Sequence, residues 1–120
     1  MTLPASCHCG AVRIEIDYAP ETLTQCTCSI CRRYGAMWAY YTRKDVRISY
    51  ADDALEKYRW GDKCIDFARC RTCGCMTHYE DVEEGDDGRF SVNARMMEPG
   101  DIASIRVRTF DGADSWKYLD

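Results

Sequence analysis

Residues 70–75 read Cys-Arg-Thr-Cys-Gly-Cys, and they follow a stretch, 64–69, rich in aromatic and branched side chains. A C-x-x-C pair followed by glycine has the form of a zinc knuckle, because one turn can aim two sulfurs at one point. A structural zinc takes four ligands, normally two pairs from distant parts of a chain. Cys7 and Cys9, in Cys7-His8-Cys9-Gly10, supply the second pair for Cys70 and Cys73. Such a closed site ties the N-terminal turn to the middle of the chain. Zinc-finger sites contribute on the order of 10 kcal/mol, which is comparable to the whole stability of a domain.

The chain of 120 residues contains nine cysteines, at 7, 9, 26, 28, 31, 64, 70, 73 and 75. An odd count, C-x-C spacings that suit a mutual disulfide poorly, and the lack of an export signal all favour metal over a disulfide scaffold. Thiolates suit zinc, which is borderline-soft and accepts tetrahedral sulfur. With Cys7, Cys9, Cys70 and Cys73 assigned to one zinc, the stretch QCTCSIC, Gln25–Cys31, keeps three thiols: Cys26, Cys28 and Cys31. Three protein ligands with one open position is the arithmetic of a catalytic zinc. A thiolate-rich zinc acidifies water poorly and is better suited to binding an incoming thiol and lowering its pKa. Cys75, Cys64 or His78 can also close this second site, and Cys75 can reach the first. If a fourth side chain closes the second site, that metal too is a staple only.

Outside the cysteines, the apolar pattern has period two. Val12, Ile14 and Ile16 alternate with charged residues, and Val46, Ile48 and Tyr50, Phe90, Val92 and Ala94, and Ile105 and Val107 alternate likewise with polar or charged ones. These stretches and Met37–Thr42 read as half-buried strands, with helical turns expected only at Cys28–Tyr34 and Ala51–Tyr58. The expected class is all-β, small curved sheets stapled by zinc, in a single domain over residues 1–120. The acidic run Glu80–Asp87 reads as a solvated loop between two strands, bounded by Gly85 and Gly88. A net charge of −4 gives no general reason to bind nucleic acid. No run is long and apolar enough for a membrane span, and MTLPASCHCG lacks the features of a secretory leader. A cytoplasmic location is therefore expected.

The clusters, in this order, carry a resemblance. The chain is similar to the glutathione-dependent formaldehyde-activating enzyme family, which includes centromere protein V. The similarity runs from SCHCGAVRIEI through QCTCSICRRYGAMWAYY and KYRWGDKCIDFARCRTCG to SVNARMMEP and FDGAD. It implies a β-tent fold with two zincs. Cys7, Cys9, Cys70 and Cys73 match the structural set, and Cys26, Cys28 and Cys31 match the second, catalytic set. The implied activity is that of a carbon-sulfur lyase, joining glutathione to formaldehyde or reversing that step. Arg32 and Arg33 are candidates to pair with a carboxylate of a glutathione-like ligand; the plainer reading is a solvated pair beside a turn. His78, and less so His8, are the available proton shuttles. The competing class is a non-catalytic module in which both zincs staple a binding scaffold.

Overall fold

The computed structural model describes residues 2–83 and 85–120. Ten strands form two sheets. The smaller has the order β1-β2-β5, with β1 Leu3–Ser6, β2 Arg13–Ile16 and β5 Val46–Ser49. The larger has seven strands in the order β10-β3-β4-β9-β8-β7-β6. They are β3 Thr22–Cys26, β4 Trp38–Thr42, β6 Leu55–Tyr58, β7 Ile65–Cys70, β8 Met76–Asp81, β9 Arg89–Asn93 and β10 Arg106–Phe110. All pairings are antiparallel except β10 with β3, which run parallel with Phe110 opposite Cys26. Two four-residue helices, α1 Cys31–Tyr34 and α2 Pro99–Ile102, complete the fold.

Alternation along β4 shows how the sheets divide the molecule. Ala39 and Tyr41 join Ile14, Ile16, Leu23, Phe90 and Val92 in the core. Trp38 turns to the opposite face and packs with Phe67, Met76, Tyr79 and Cys31. A bulge between Ala68 and Arg69 shifts the β7–β8 register, and Met76 and Tyr79 fall in the same cluster. A third cluster of Cys7, Val12 and Cys70 sits where the first cysteine pair meets the end of β7.

The period-two stretches become β2, β5, β9 and β10, and the stretches at 37–42 and 64–69 become β4 and β7. The helical expectation for Ala51–Tyr58 is corrected: Leu55–Tyr58 is an edge strand on β7, with Leu55 opposite Cys70. Tertiary pairing overrides helix propensity there, and Leu55 packs on the third cluster. β8 carries no period-two signal, because Met76, Thr77, His78 and Tyr79 are all buried. Pro4 is accommodated because β1 is an edge strand.

The acidic run lies between β8 and β9, with Glu84 outside the described residues. Arg43 ties the segment down by donating to Glu80 and to the carbonyls of Asp81, Glu83 and Gly85. Lys44 pairs with Asp87 at 2.9 Å. Glu80 and Asp87 thus each have a cationic partner.

Candidate metal centre and cleft

The Cys7, Cys9, Cys70 and Cys73 sulfurs converge, all within 4.8 Å of one another. Cys7 Sγ and Cys9 Sγ are 3.7 Å apart, and Cys9 Sγ and Cys70 Sγ 3.6 Å. Four sulfurs about 2.3 Å from a tetrahedral centre lie about 3.8 Å from each other, so this donor set fits zinc. Both knuckles turn through glycines of positive φ, Gly10 at 82° and Gly74 at 80°. The Val12 N–H donates to Cys7 Sγ at 3.3 Å. Backbone N–H groups of Cys75 and Cys9 lead the effects that hold the Cys73 thiol down to about 5. Amide donors aimed at sulfur favour thiolate, the form that binds metal.

The second set, Cys26, Cys28 and Cys31, also gathers within 4.8 Å. Cys26 ends β3, Cys31 opens α1, and the loop between them folds so that the Cys31 N–H donates to Cys28 Sγ at 3.4 Å. Gly35, in the left-handed region at φ 64°, ends that single turn with its N–H on the Cys31 carbonyl. A hydrogen bond with the Cys31 thiol is the first cause holding Cys26 down to about 5, and the Cys28 and Gly112 N–H groups add to it. Cys31 is pushed up, first by Cys26 and then by burial. Three sulfurs, one of them held as thiolate first by a neighbouring thiol and then by amides, fit a zinc with an open position.

Among the described residues no fourth ligand joins this set. Cys75 packs with Cys7, Cys70 and Cys73 in the third cluster, so it belongs beside the first site. Cys64 is exposed, 3.1 Å from Asp62 Oδ1. His78 is fully buried and stacked on Phe90, with Nδ1 on Thr77 Oγ1 at 2.8 Å and Nε2 on Glu80 Oε2 at 3.2 Å. Both its ring nitrogens are engaged and it lies outside the cleft lining, so its candidacy as ligand or proton shuttle is withdrawn. His8 is likewise absent from that lining.

A cleft of about 1420 Å³ opens over the second set. Its walls are aromatic, with Trp38, Tyr40, Trp60, Phe67, Tyr79 and Trp116 among them. Arg32 and Arg89 are the cationic residues that line it, and neither makes a side-chain ion pair among the described residues. Arg33 lies outside the lining and donates to the Ser29 carbonyl at 2.7 Å. Burial raises the pKa of Tyr40 and Tyr79, keeping both hydroxyls protonated at neutral pH.

Beside the thiols stands a loop that sequence reasoning assigned no role. A Cβ on Gly112 would lie 2.7 Å from Cys26 Sγ and 3.1 Å from Cys28 Cβ. Asp111 Oδ1 accepts from Thr27 Oγ1 at 2.9 Å, and Ala113 N donates back to Thr27 Oγ1 at 3.2 Å. The motif Phe110-Asp111-Gly112 was the available signal, and its contacts appear only with β10 laid parallel to β3.

The family model for the glutathione-dependent formaldehyde-activating enzyme matches residues 2–112. The chain belongs to that family. A crystal structure of a Rhodobacter sphaeroides protein is similar at 30% identity and a TM-score of 0.70, covering 88% of this chain and 99% of that one. No curated protein matches the chain. The all-β, single-domain architecture and the two cysteine sets accord with this family membership. No helix is long and apolar enough to cross a membrane.

Proposed function

We propose that this member of the formaldehyde-activating enzyme family holds two zincs and acts as a carbon-sulfur lyase, forming and breaking adducts between a glutathione-like thiol and a small aldehyde. The observation that carries this reading is the three-sulfur set lining an open cleft, separate from a complete four-sulfur set. Zinc bound by Cys26, Cys28 and Cys31 supplies positive charge that favours the thiolate form of an incoming thiol. The chain's own residues do the rest. Arg32 and Arg89 offer guanidinium groups for the carboxylates of the thiol. The aromatic walls restrict the approach of the two reactants, which makes their encounter nearly unimolecular.

In the forward direction the thiol sulfur bonds to the aldehyde carbon and the carbonyl electron pair moves onto oxygen. The proton lost by the thiol is returned to that oxygen. Tyr40 and Tyr79, both protonated and lining the cleft, are the side chains proposed to donate a hydrogen bond to the developing alkoxide. The reverse step uses the same groups.

Thiols add to formaldehyde without help, so the test must read acceleration. Exchange NMR on glutathione–formaldehyde mixtures measures the interconversion rate directly. The zinc-loaded protein should raise that rate above background, and a Cys28→Ser variant that stays folded with one zinc should not. Two zincs per chain with no acceleration would instead support the non-catalytic binding module.

A further inference from the structure

Trp116 is 69% exposed although it lines the cleft beside the three sulfurs. Its φ is 60°, the left-handed region that a bulky residue enters at a cost of roughly 1 kcal/mol or more. The loop holds it there. Trp116 N donates to the Asp111 carbonyl at 2.8 Å, and the Asp111 carboxylate accepts from Ser115 N, Ser115 Oγ and Thr27 Oγ1. The indole packs edge-on to Phe110 and lies 3.5 Å from the Cβ position of Gly112.

A second loop mirrors this arrangement. The turn between β6 and β7 places Trp60, 38% exposed, in the cleft lining, and passes through Lys63 at φ 60°. Among the described residues, Lys63 and Trp116 are the non-glycine residues of positive φ, and each lies in a loop that gives a tryptophan to this cleft. Backbone strain of this kind collects at ligand clamps, where it is part of the preorganisation. Tyr40, 45% exposed, adds a third aromatic surface. Formaldehyde has no apolar surface that these rings could cover, and a peptide thiol offers little. Trp116 also lies beyond residue 112, where the family match ends.

We propose that the electrophile this cleft accepts is an aldehyde bearing an apolar, aromatic-sized substituent, with Trp116 as its main specificity contact. This rests on the thiol–aldehyde reading above. The chemistry is unchanged: the S–H bond breaks, an S–C bond forms, the carbonyl electron pair moves to oxygen and the proton ends there. No oxidant or reductant is required. The substituent on the former carbonyl carbon then projects from sulfur toward the tryptophans. An aromatic pair contributes enough to raise affinity about tenfold.

Two stable thioethers separate the ideas, because the adduct also carries its substituent on sulfur. S-benzylglutathione and S-methylglutathione are titrated calorimetrically into the zinc-loaded protein. The benzyl probe should bind about tenfold more tightly, Trp116→Ala should reduce that preference to about twofold, and Trp116→Phe should retain most of it. Circular dichroism checks the fold; if Trp116→Ala fails to fold, Trp60→Ala reads the same preference from the other loop. Equal affinity for the two probes, or a preference that Trp116→Ala leaves intact, overturns the assignment. So does binding of glutathione with neither probe bound. Failure of glutathione itself to bind would overturn the thiol reading beneath it.

Discussion

The Thr27 hydroxyl donates to Asp111 Oδ1 at 2.9 Å, and this bond joins the loop that carries the second set of sulfurs to the loop that closes over them. Thr27 lies between Cys26 and Cys28, and its own N–H donates to the Phe110 carbonyl. The two loops therefore position the thiols as one unit. Outer contacts of this type typically contribute 10–100-fold to metal affinity. Thr27→Val keeps the side-chain shape and removes the hydroxyl. We expect its second zinc to bind about tenfold more weakly while the first is unchanged, read by chelator competition. Equal weakening of both sites would mean a global effect and remove the special role of this contact.

Gly112 makes a sharper prediction. A methyl group there meets Cys26 Sγ at 2.7 Å, closer than real Cβ contacts allow. The backbone neighbours cannot move freely, because Phe110 and Asp111 are bonded into β3 and the Lys117 carbonyl. Gly112→Ala should displace the Cys26 sulfur and reduce zinc content from two per chain toward one. Gly100→Ala meets nothing within 4 Å and is the control. Full zinc content in Gly112→Ala would show that the loop can yield.

Much of this site is visible in the sequence for a physical reason. Thiolate zinc sites draw their cysteines in pairs or triplets at short spacing, so Cys7, Cys9, Cys70 and Cys73 sort from Cys26, Cys28 and Cys31 in the sequence itself. The exclusion of Cys75 from the second set needed the fold, because spacing alone does not say which face of a turn a thiol takes. Cys75 N–H and carbonyl orientation follow from the turn that sends Cys70 N to the Cys75 carbonyl at 2.9 Å. Arg89 and Trp116 were invisible for a related reason. Neither lies near a cysteine in the sequence; each is brought to the thiols by pairing across a sheet or by a loop folded back on β10. His78 misled because a histidine near cysteines suggests chemistry, whereas β8 buries it completely.

The cleft arginines should divide in function. Among the described residues Arg32 and Arg89 line the cleft without ion-pair partners, whereas Arg33 is spent on the Ser29 carbonyl. Charged hydrogen bonds contribute about 1.5–3 kcal/mol, so losing one costs about 10–100-fold in affinity. Calorimetry should show glutathione binding weakened to that extent in Arg32→Ala and in Arg89→Ala, and altered less than about twofold in Arg33→Ala. Three equal effects would remove carboxylate recognition as the explanation.

Stability should depend on pH through Glu80. Its carboxylate is held down to about 2 from an ordinary 4.5, first by the hydrogen bond with His78 and further by Arg43 at 3.1 Å. Burial depresses the His78 pKa, so at neutral pH it presents a neutral Nε2–H, and Arg43 supplies the facing charge. A folded-state pKa below the unfolded one stabilises the protein above the unfolded value, and that stability is lost as pH falls through the folded value. The window therefore runs from pH 4.5 down toward 2. A shift of this size corresponds to about 3 kcal/mol as an upper bound. The thiolates also protonate in acid, which releases metal from wild type and variant alike. The informative quantity is thus the difference in urea unfolding free energy between wild type and Glu80→Gln. It should be about 2 kcal/mol at pH 7, hold to about pH 5, and shrink below that. A difference that stays constant into acid would show that Glu80 acts through shape, with its charge contributing nothing.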